Sequence, residues 1–168
     1  LFSLHRKKPT FKSRILPKNK SIIFIHNIKY VRHYLTSGLD LNNFIWCNVS
    51  NDLEVTSFLE NNFNNVVNLP TCLAPKLAPS IFHSYFEVKM GITKLIAKIN
   101  PPSVICFEGD APYNSNLAVI AKQYGATSYC IQWGIHYPCW RDIAFSNMQF
   151  DFFISWGRFF SDFLKTNN

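Results

Sequence analysis

The chain alternates short apolar runs with segments that have helical periodicity. The runs are five or six residues long and rich in Val, Ile and Phe, which is typical of strands buried on both faces of a parallel sheet. They cover 21–25, 44–49, 65–69, 103–107, 127–131 and 151–155. Because parallel strands need crossover connections, and the intervening segments can form helices, the sequence predicts an α/β fold with a mainly parallel, six-stranded sheet.

The connection between the third and fourth runs predicts the order of the strands. A helix predicted from about Ser80 to Ile99 fills most of it, and its apolar side chains recur at i, i+3, i+4 and i+7. A connection of this length can carry the chain from the third strand to the far side of the first. Right-handed crossovers then predict the order 3-2-1-4-5-6 of a doubly wound, Rossmann-like domain.

Residues typical of helix ends predict further helix boundaries. Asn51 and Glu54 have the spacing of a capping box and predict the start of a helix. A helix predicted from Ser115 to Tyr124, with Tyr124 on its apolar face, ends at Gly125. The spacing of Phe and Leu predicts a last helix over 158–165.

Positive charge is concentrated at the start of the chain. Nine of the 17 Lys and Arg residues lie within 1–32, and no acidic residue precedes Asp40. From residue 33 onward, eight basic residues face ten acidic ones, so the rest of the chain is not basic. We therefore divide the chain into a basic arm, 1–19, and an α/β domain, 20–168. The arm is either a solvated linker or a segment that attracts an anionic membrane or, less favoured, nucleic acid.

The composition indicates a soluble domain of a reducing compartment. Hydrophobic residues make up 48% of the chain, enough for a packed core, and no apolar run approaches the length of a membrane-spanning helix. The five cysteines form no CxxC pair and no zinc-like spacing. We expect a cytoplasmic protein, either free in the cytoplasm or peripheral to the inner face of the membrane. Since the sequence begins with Leu rather than Met, we also expect it to be part of a longer polypeptide.

Polar residues follow three of the predicted strands. In doubly wound sheets, ligands bind at the carboxyl ends of the strands, where the strand order reverses between strands one and four. A histidine, two carboxylates and two amides, with a Trp-Gly pair, follow strands one, four and five: His26, Asn27, Glu108, Asp110, Gln132, Trp133 and Gly134. For Glu108 or Asp110 taken alone, capping a turn or a helix explains the carboxylate as well as a ligand-binding role does. The occurrence of all these polar residues at three neighbouring strand ends favours a ligand site.

Two common nucleotide-binding motifs do not occur in the sequence. The first predicted strand-to-helix turn, Ile25 to Lys29, lacks the GxGxxG pattern that lets a backbone approach a pyrophosphate. The chain also has no GxxxxGK[ST] loop. These observations argue against a conventional NAD enzyme and against a P-loop NTPase.

The segment between the last two strands, 133–150, mixes aromatic and hydrogen-bonding side chains. They include His136, Trp140 and Arg141, a combination that suits the faces and hydroxyls of a sugar. The alternative is an aromatic cluster that covers the edge of the sheet. His136 and Cys139 belong to no repeated ligand spacing, so we predict neither a metal nor another cofactor.

The second half of the domain resembles a known family. The segments that carry the resemblance are Ala118-x-x-Ala121-x-x-x-Gly125-x-x-x-x-x-Ile131-Gln132-Trp133-Gly134 and Asp151-x-Phe153-x-x-Trp156-Gly157. They resemble the N-terminal half of GT-B glycosyltransferases of surface-polysaccharide assembly, of the capsule and lipopolysaccharide type, and more distantly the UDP-N-acetylglucosamine 2-epimerase fold. The resemblance covers roughly 103–160, and Trp133 stands where the family motif usually has His. Residues 20–100 resemble the family only in the order of their elements.

The resemblance implies that two domains bind the two substrates separately. The N-terminal domain of such enzymes binds the acceptor and often supplies the general base, whereas a C-terminal domain holds the nucleotide-sugar. We therefore expect an acceptor-binding half that meets a glycan or lipid-linked acceptor, needs no metal and is inactive without a donor-binding domain, which this chain lacks. Asp110 is the first candidate for the base, followed by Glu108 and His136. The predicted substrate-binding residues are His26, Asn27, Gln132, Trp133, Gly134, Trp140 and Arg141.

Two other functions fit the same residues. One is half of an epimerase-like enzyme that acts on a UDP-sugar in the cleft between two domains. The other is a non-catalytic binding module whose basic arm holds nucleic acid or an anionic membrane.

Overall fold

The computed structural model describes residues 16–35, 38–50, 52–69, 79–107, 112–132, 149–155, 157–158 and 162. Six strands form one sheet in the order β3-β2-β1-β4-β5-β6, and every neighbouring pair is parallel. The strands are β1 (Ile22–Ile25), β2 (Ile45–Asn48), β3 (Val66–Asn68), β4 (Ser103–Phe107), β5 (Thr127–Ile131) and β6 (Phe152–Ile154). The predicted fold class and strand order are confirmed.

Four helices connect these strands and cover the sheet on both faces. They are α1 (Ile28–Leu35), α2 (Leu53–Asn62), α3 (Pro79–Ile99) and α4 (Pro112–Gln123), and a 3₁₀ turn at Leu41–Asn43 precedes β2. Helices α1 and α2 share one apolar cluster with the sheet, and α3 and α4 share the other. The face of α3 predicted from its periodicity is buried: Ile92, Leu95, Ile96 and Ile99.

Aromatic packing dominates the cluster under α1 and α2. The Trp46 side chain on β2 is fully buried. Its ring stacks on Phe63 at 4.2 Å between centroids and meets Tyr34 edge to face at 5.5 Å. Offset and edge-to-face ring pairs add to the free energy gained from burying their surface. The contacts with Trp46 therefore tie α1 and the end of α2 to the centre of the sheet.

Two predicted helix boundaries are wrong by a few residues. Helix α2 begins after Asp52 rather than Asn51, because the Asp52 carboxylate accepts a hydrogen bond from the Glu54 backbone N–H at 2.8 Å. Helix α4 begins at Pro112, before the predicted Ser115. A proline suits the first turn of a helix, where its missing N–H would have no intrahelical partner.

The end of α4 is fixed by a glycine in the left-handed conformation. Gly125 has φ +71°, and the Ala126 N–H donates to the Ala121 carbonyl at 2.9 Å. The Gly125 N–H donates to the Lys122 carbonyl at 3.2 Å, which completes the hydrogen-bond pattern of a Schellman motif. Tyr124 lies in this turn and is 38% exposed, so its predicted place on the buried face is wrong.

The last residues of the predicted arm lie against the domain. Leu16 is buried in the cluster under α3 and α4, and the Asn19 N–H donates to the carbonyl of Ile99 at 3.0 Å. Residues 1–15 lie outside the described residues, as does most of the helix predicted over 158–165. Within the described ranges, no helix combines the length and the apolar character needed to span a bilayer.

We expect Gly125→Ala to lower the free energy of unfolding by about 1–2 kcal/mol, because a Cβ makes the left-handed conformation costly. Urea denaturation measures this change. Gln123→Ala is the control, since it alters an exposed residue in the last turn of the same helix without a left-handed conformation, and it should change stability by less than about 0.5 kcal/mol. Equal losses in the two variants would contradict the assignment of this helix end.

Candidate functional site

The strand order reverses between β1 and β4, and three aromatic rings lie together at this point, two of them in the buried core. His26 follows β1 directly, and its half-buried ring meets Tyr30 of α1 edge to face at 4.7 Å between centroids. Tyr30 in turn stacks on Phe107, the last residue of β4, at 4.7 Å and an interplanar angle of 12°. The stack joins the first turn of α1 to the end of β4 and holds the His26 imidazole at the carboxyl edge of the sheet.

Asn27 closes the first turn of the domain. Its side-chain Oδ1 accepts a hydrogen bond from the Lys29 N–H at 3.0 Å, and its carbonyl accepts one from the Tyr30 N–H at 3.2 Å. These bonds satisfy donors that the start of a helix would otherwise leave without partners. The Lys29 N–H at the start of α1 is therefore bonded within the chain.

Gln132 extends the pairing of β5 with β6. Its N–H donates to the Ile154 carbonyl at 2.9 Å, and its side chain is buried. Since β4 lies between β1 and β5, Gln132 and His26 stand roughly 10 Å apart along the carboxyl edge. His26, Asn27 and Gln132 thus share this edge. The other predicted site residues lie outside the described residues: Glu108, Asp110, Trp133, Gly134, His136, Trp140 and Arg141.

A buried asparagine network that the sequence analysis missed rigidifies the same edge. Asn48, at the end of β2, is 1% exposed, and its Nδ2 donates to Thr56 Oγ1 at 2.9 Å and to Asn68 Oδ1 at 3.1 Å. Its own Oδ1 accepts from the Ser50 N–H at 2.8 Å. Asn68 Nδ2 donates to Glu60 Oε1 at 2.7 Å. The network therefore fixes the β2–α2 turn and the position of α2.

Asp151 has a structural role at the opposite edge, where the strands begin. Its Oδ2 accepts from both the Ser128 N–H at 2.8 Å and the Ser128 hydroxyl at 2.7 Å. The Asp151 N–H donates back to Ser128 Oγ at 3.0 Å. The backbone and hydroxyl bonds from Ser128 lower the pKa of the Asp151 carboxyl below its usual range. This first residue of the family-like segment thus clamps β6 to β5.

The described cysteines are core residues. Cys47, Cys106 and Cys130 are free and buried, and Cys106 lies opposite Cys130 in the β4–β5 register. Burial raises the pKa of the Cys47 and Cys106 thiols, which disfavours the nucleophilic thiolate. In the part of the chain that the structure describes, no three side chains of His, Cys, Asp or Glu come together as a metal site.

Comparisons with solved structures show the fold. The C-terminal domain of a hydrogenase from Pyrococcus furiosus aligns with 73% of this chain and 98% of its own length, with a TM-score of 0.51 and 15% identity. A UDP-glucosyltransferase from Polygonum tinctorium, which glucosylates indoxyl, aligns with 71% of this chain at a TM-score of 0.44 and 12% identity. The chain spans 30% of that enzyme. The sequence matches no protein-family model and no curated protein. At 15% identity, the likeness to the hydrogenase domain concerns the fold alone.

We expect Asn48→Ala to lower the free energy of unfolding by about 2–3 kcal/mol, because it leaves buried polar groups of the network without partners. Urea denaturation measures the loss. Asn61→Ala, at an exposed site of α2, is the control and should cost less than about 0.5 kcal/mol. A loss at Asn48 no larger than at Asn61 would show that the network adds no stability.

Asp151 should make stability depend on pH. Its pKa is lower in the folded chain than in the unfolded one, so its carboxylate stabilises the fold above about pH 4, the unfolded value, and less as pH falls through the folded pKa. The difference in unfolding free energy between the natural chain and Asp151→Asn should therefore shrink as the pH falls below about 4.

Urea denaturation at several pH values tests this expectation. In a Ser128→Ala background, the pH-dependent difference should be smaller but still present, because the Ser128 backbone N–H still bonds to the carboxylate. A difference between the chain and Asp151→Asn that is constant across this pH range would contradict the clamp.

Proposed function

We propose that this chain is the acceptor-binding half of a glycosyltransferase that moves a sugar from a nucleotide-sugar to a surface glycan of bacterial type. The observation that carries the proposal is the closed first turn after β1. Rossmann-like domains that bind a diphosphate at this point use a glycine-rich turn and the free N–H groups at the start of the following helix. Here the turn has no glycine, and the Asn27 side chain bonds the Lys29 N–H. A turn without glycine, with its helix N–H already bonded, favours an uncharged, hydroxyl-rich ligand over a diphosphate.

The residues at the carboxyl edge suit such a ligand. The stack of His26, Tyr30 and Phe107 presents an imidazole at the place where the strand order reverses. An imidazole can donate to or accept from a sugar hydroxyl. Asn27 and Gln132 lie on the same edge, and we propose that Trp133, Gly134, Trp140 and Arg141 complete the acceptor site with aromatic faces and hydrogen-bond donors.

The proposed reaction needs one proton acceptor on this chain. A carboxylate removes the proton from the acceptor hydroxyl while the hydroxyl oxygen forms a bond to the anomeric carbon of the donor. The bond from that carbon to the phosphate oxygen of the donor breaks, and the nucleotide leaves with the bonding electron pair. We propose Asp110 as the base, because it follows the end of β4 by three residues. Glu108 and His136 are the next candidates.

The donor would bind to a second domain. We propose a separate Rossmann-like unit that supplies the contacts to the nucleotide and its diphosphate, and we place the activity in the cytoplasm. Three free, buried thiols among the described residues support a reducing compartment.

The division between two domains predicts weak donor binding by this chain alone. Calorimetric titration with UDP- and CMP-sugars should give no binding in the micromolar range, because the first turn has no glycine-rich loop that would hold the phosphate groups of the donor. Catalytic turnover should likewise be absent. Micromolar affinity of the 168-residue chain for either nucleotide-sugar would overturn the assignment to the acceptor half.

In a polypeptide that carries both domains, Asp110→Asn should lower kcat by roughly 10²–10⁴-fold and leave KM for the acceptor nearly unchanged. The melting temperature should stay close to that of the natural chain. The matched control is Asp52→Asn, since asparagine also caps a helix and should preserve both α2 and turnover. If Asp110 only caps a turn, its variant loses about 1 kcal/mol of stability while turnover persists.

A further inference from the structure

An open depression lies at the amino edge of the sheet, where the strands begin, between the end of α4 and the start of β6. Its volume is about 350 Å³, which falls in the lower range of small-molecule sites. Six residues line it, and the structure describes all of them: Lys122, Gly125, Ala126, Thr127, Asp151 and Phe152. The depression therefore belongs to the edge opposite the one that carries His26.

An aromatic ring forms part of the lining. The Phe152 side chain is 54% exposed, and its ring stacks on Tyr129 of the neighbouring strand at 5.1 Å between centroids and an interplanar angle of 16°. The register of β5 and β6 places these two residues directly opposite each other. The stack and the register together hold the Phe152 ring in place, while about half of its surface stays available to a ligand.

Two opposite charges line the depression as well. Hydrogen bonds from Ser128, and to a lesser extent the charge of Lys122, lower the pKa of the Asp151 carboxyl, so this group is ionised at neutral pH. Ser128 donates to Oδ2 of the carboxylate, and no described residue donates to Oδ1. The exposed Lys122 ammonium donates to none of the residues that the structure describes. The depression thus offers a ligand one fixed acceptor and one strong donor.

The balance of these charges disfavours an ion as the ligand. An anion such as phosphate would be repelled by the Asp151 carboxylate, and a cation would be repelled by the Lys122 ammonium. A neutral ligand with several hydroxyl groups can accept from Lys122 and donate to Asp151 without either cost. The half-buried Thr127 adds a hydroxyl that can donate or accept. The polar part of the lining therefore suits a neutral polyhydroxyl compound.

The aromatic part of the lining narrows this class to sugars. The C–H groups on one face of a pyranose ring are apolar, and packing them on Phe152 removes apolar surface of both partners from water. We infer that the depression lined by Lys122, Asp151 and Phe152 is a binding subsite for a neutral pyranose, separate from the acceptor site proposed at the carboxyl edge. The inference goes beyond the proposed reaction and does not depend on it.

Nuclear magnetic resonance of the isotope-labelled, 168-residue chain tests the subsite. The probes are glucose, galactose, mannose, rhamnose and N-acetylglucosamine, titrated separately. We expect at least one of them to shift the backbone amides of 125–128 and 151–152 in a saturable way. The dissociation constant should be about 1 mM or weaker, because an open depression covers only part of a ligand. The amides of 26–29 report on the carboxyl edge, so the proposed acceptor site is judged separately.

Two matched pairs of variants locate the binding. Phe152→Ala removes the ring and should weaken binding about fivefold. Its control, Ile154→Ala, removes an exposed apolar side chain of the same strand that does not line the depression, and should change binding less than about twofold. Lys122→Ala should also weaken binding about fivefold, whereas Lys94→Ala, at an exposed site of α3, should not. Melting temperatures show that the variants fold, and if Phe152→Ala does not, the lysine pair decides the question.

Three results would overturn the inference. If none of the five sugars shifts the amides of 125–128 and 151–152, the depression does not bind a pyranose. Equal losses in each variant and its control would show that the sugar contacts the surface without using the ring or the ammonium. Saturable shifts with inorganic phosphate or with the zwitterion L-phenylalanine, and with no sugar, would identify a charged ligand instead.

Discussion

In a parallel sheet all strands start at one edge and end at the other, and this polarity organises the whole domain. Every connection must return from the carboxyl edge to the amino edge, so the helices run back along the faces and bury the strands on both sides. The carboxyl edge therefore carries the turns that begin helices, including Asn27 before α1 and Asp52 before α2. The amino edge carries the helix ends, with Lys98 and Lys122. The two edges consequently present different groups: the starts of helices with their N–H donors at the carboxyl edge, and the ends of helices with lysines at the amino edge.

The crossover through α3 connects the two halves of the sheet. It joins β3 at one side to β4 at the other, next to β1, and its buried face packs in the same cluster as Ile22, Phe24 and Cys47. Its end is held by the Asn19–Ile99 hydrogen bond and by Asn100, which has φ +51°. The reversal of strand order at β1 and β4 exists because of this helix. The position of His26 and Phe107 side by side depends on the same packing.

The fold could be predicted from the sequence because its central strands β1 and β2 are buried on both faces and its helices on one, although the edge strand β6 is largely exposed. A continuous apolar run indicates a strand buried on both faces, and the i, i+3, i+4 spacing in α3 indicates a helix buried on one face. Helix ends were less predictable, since Asn51 and Asp52 can both cap and only the three-dimensional turn selects Asp52. Tyr124 fits the helical spacing of α4, but the left-handed Gly125 ends the helix before it.

The site could be predicted less fully, because side-chain partners depend on register. Asn48 and Asn68 look like ordinary polar strand ends in the sequence, yet the β2–β3 register places them opposite each other and allows a buried network. Asp151 forms part of the family-like segment, and only the pairing of β5 with β6 shows that it binds Ser128. Strand order alone sufficed for His26, Asn27 and Gln132, which follow strands of known polarity.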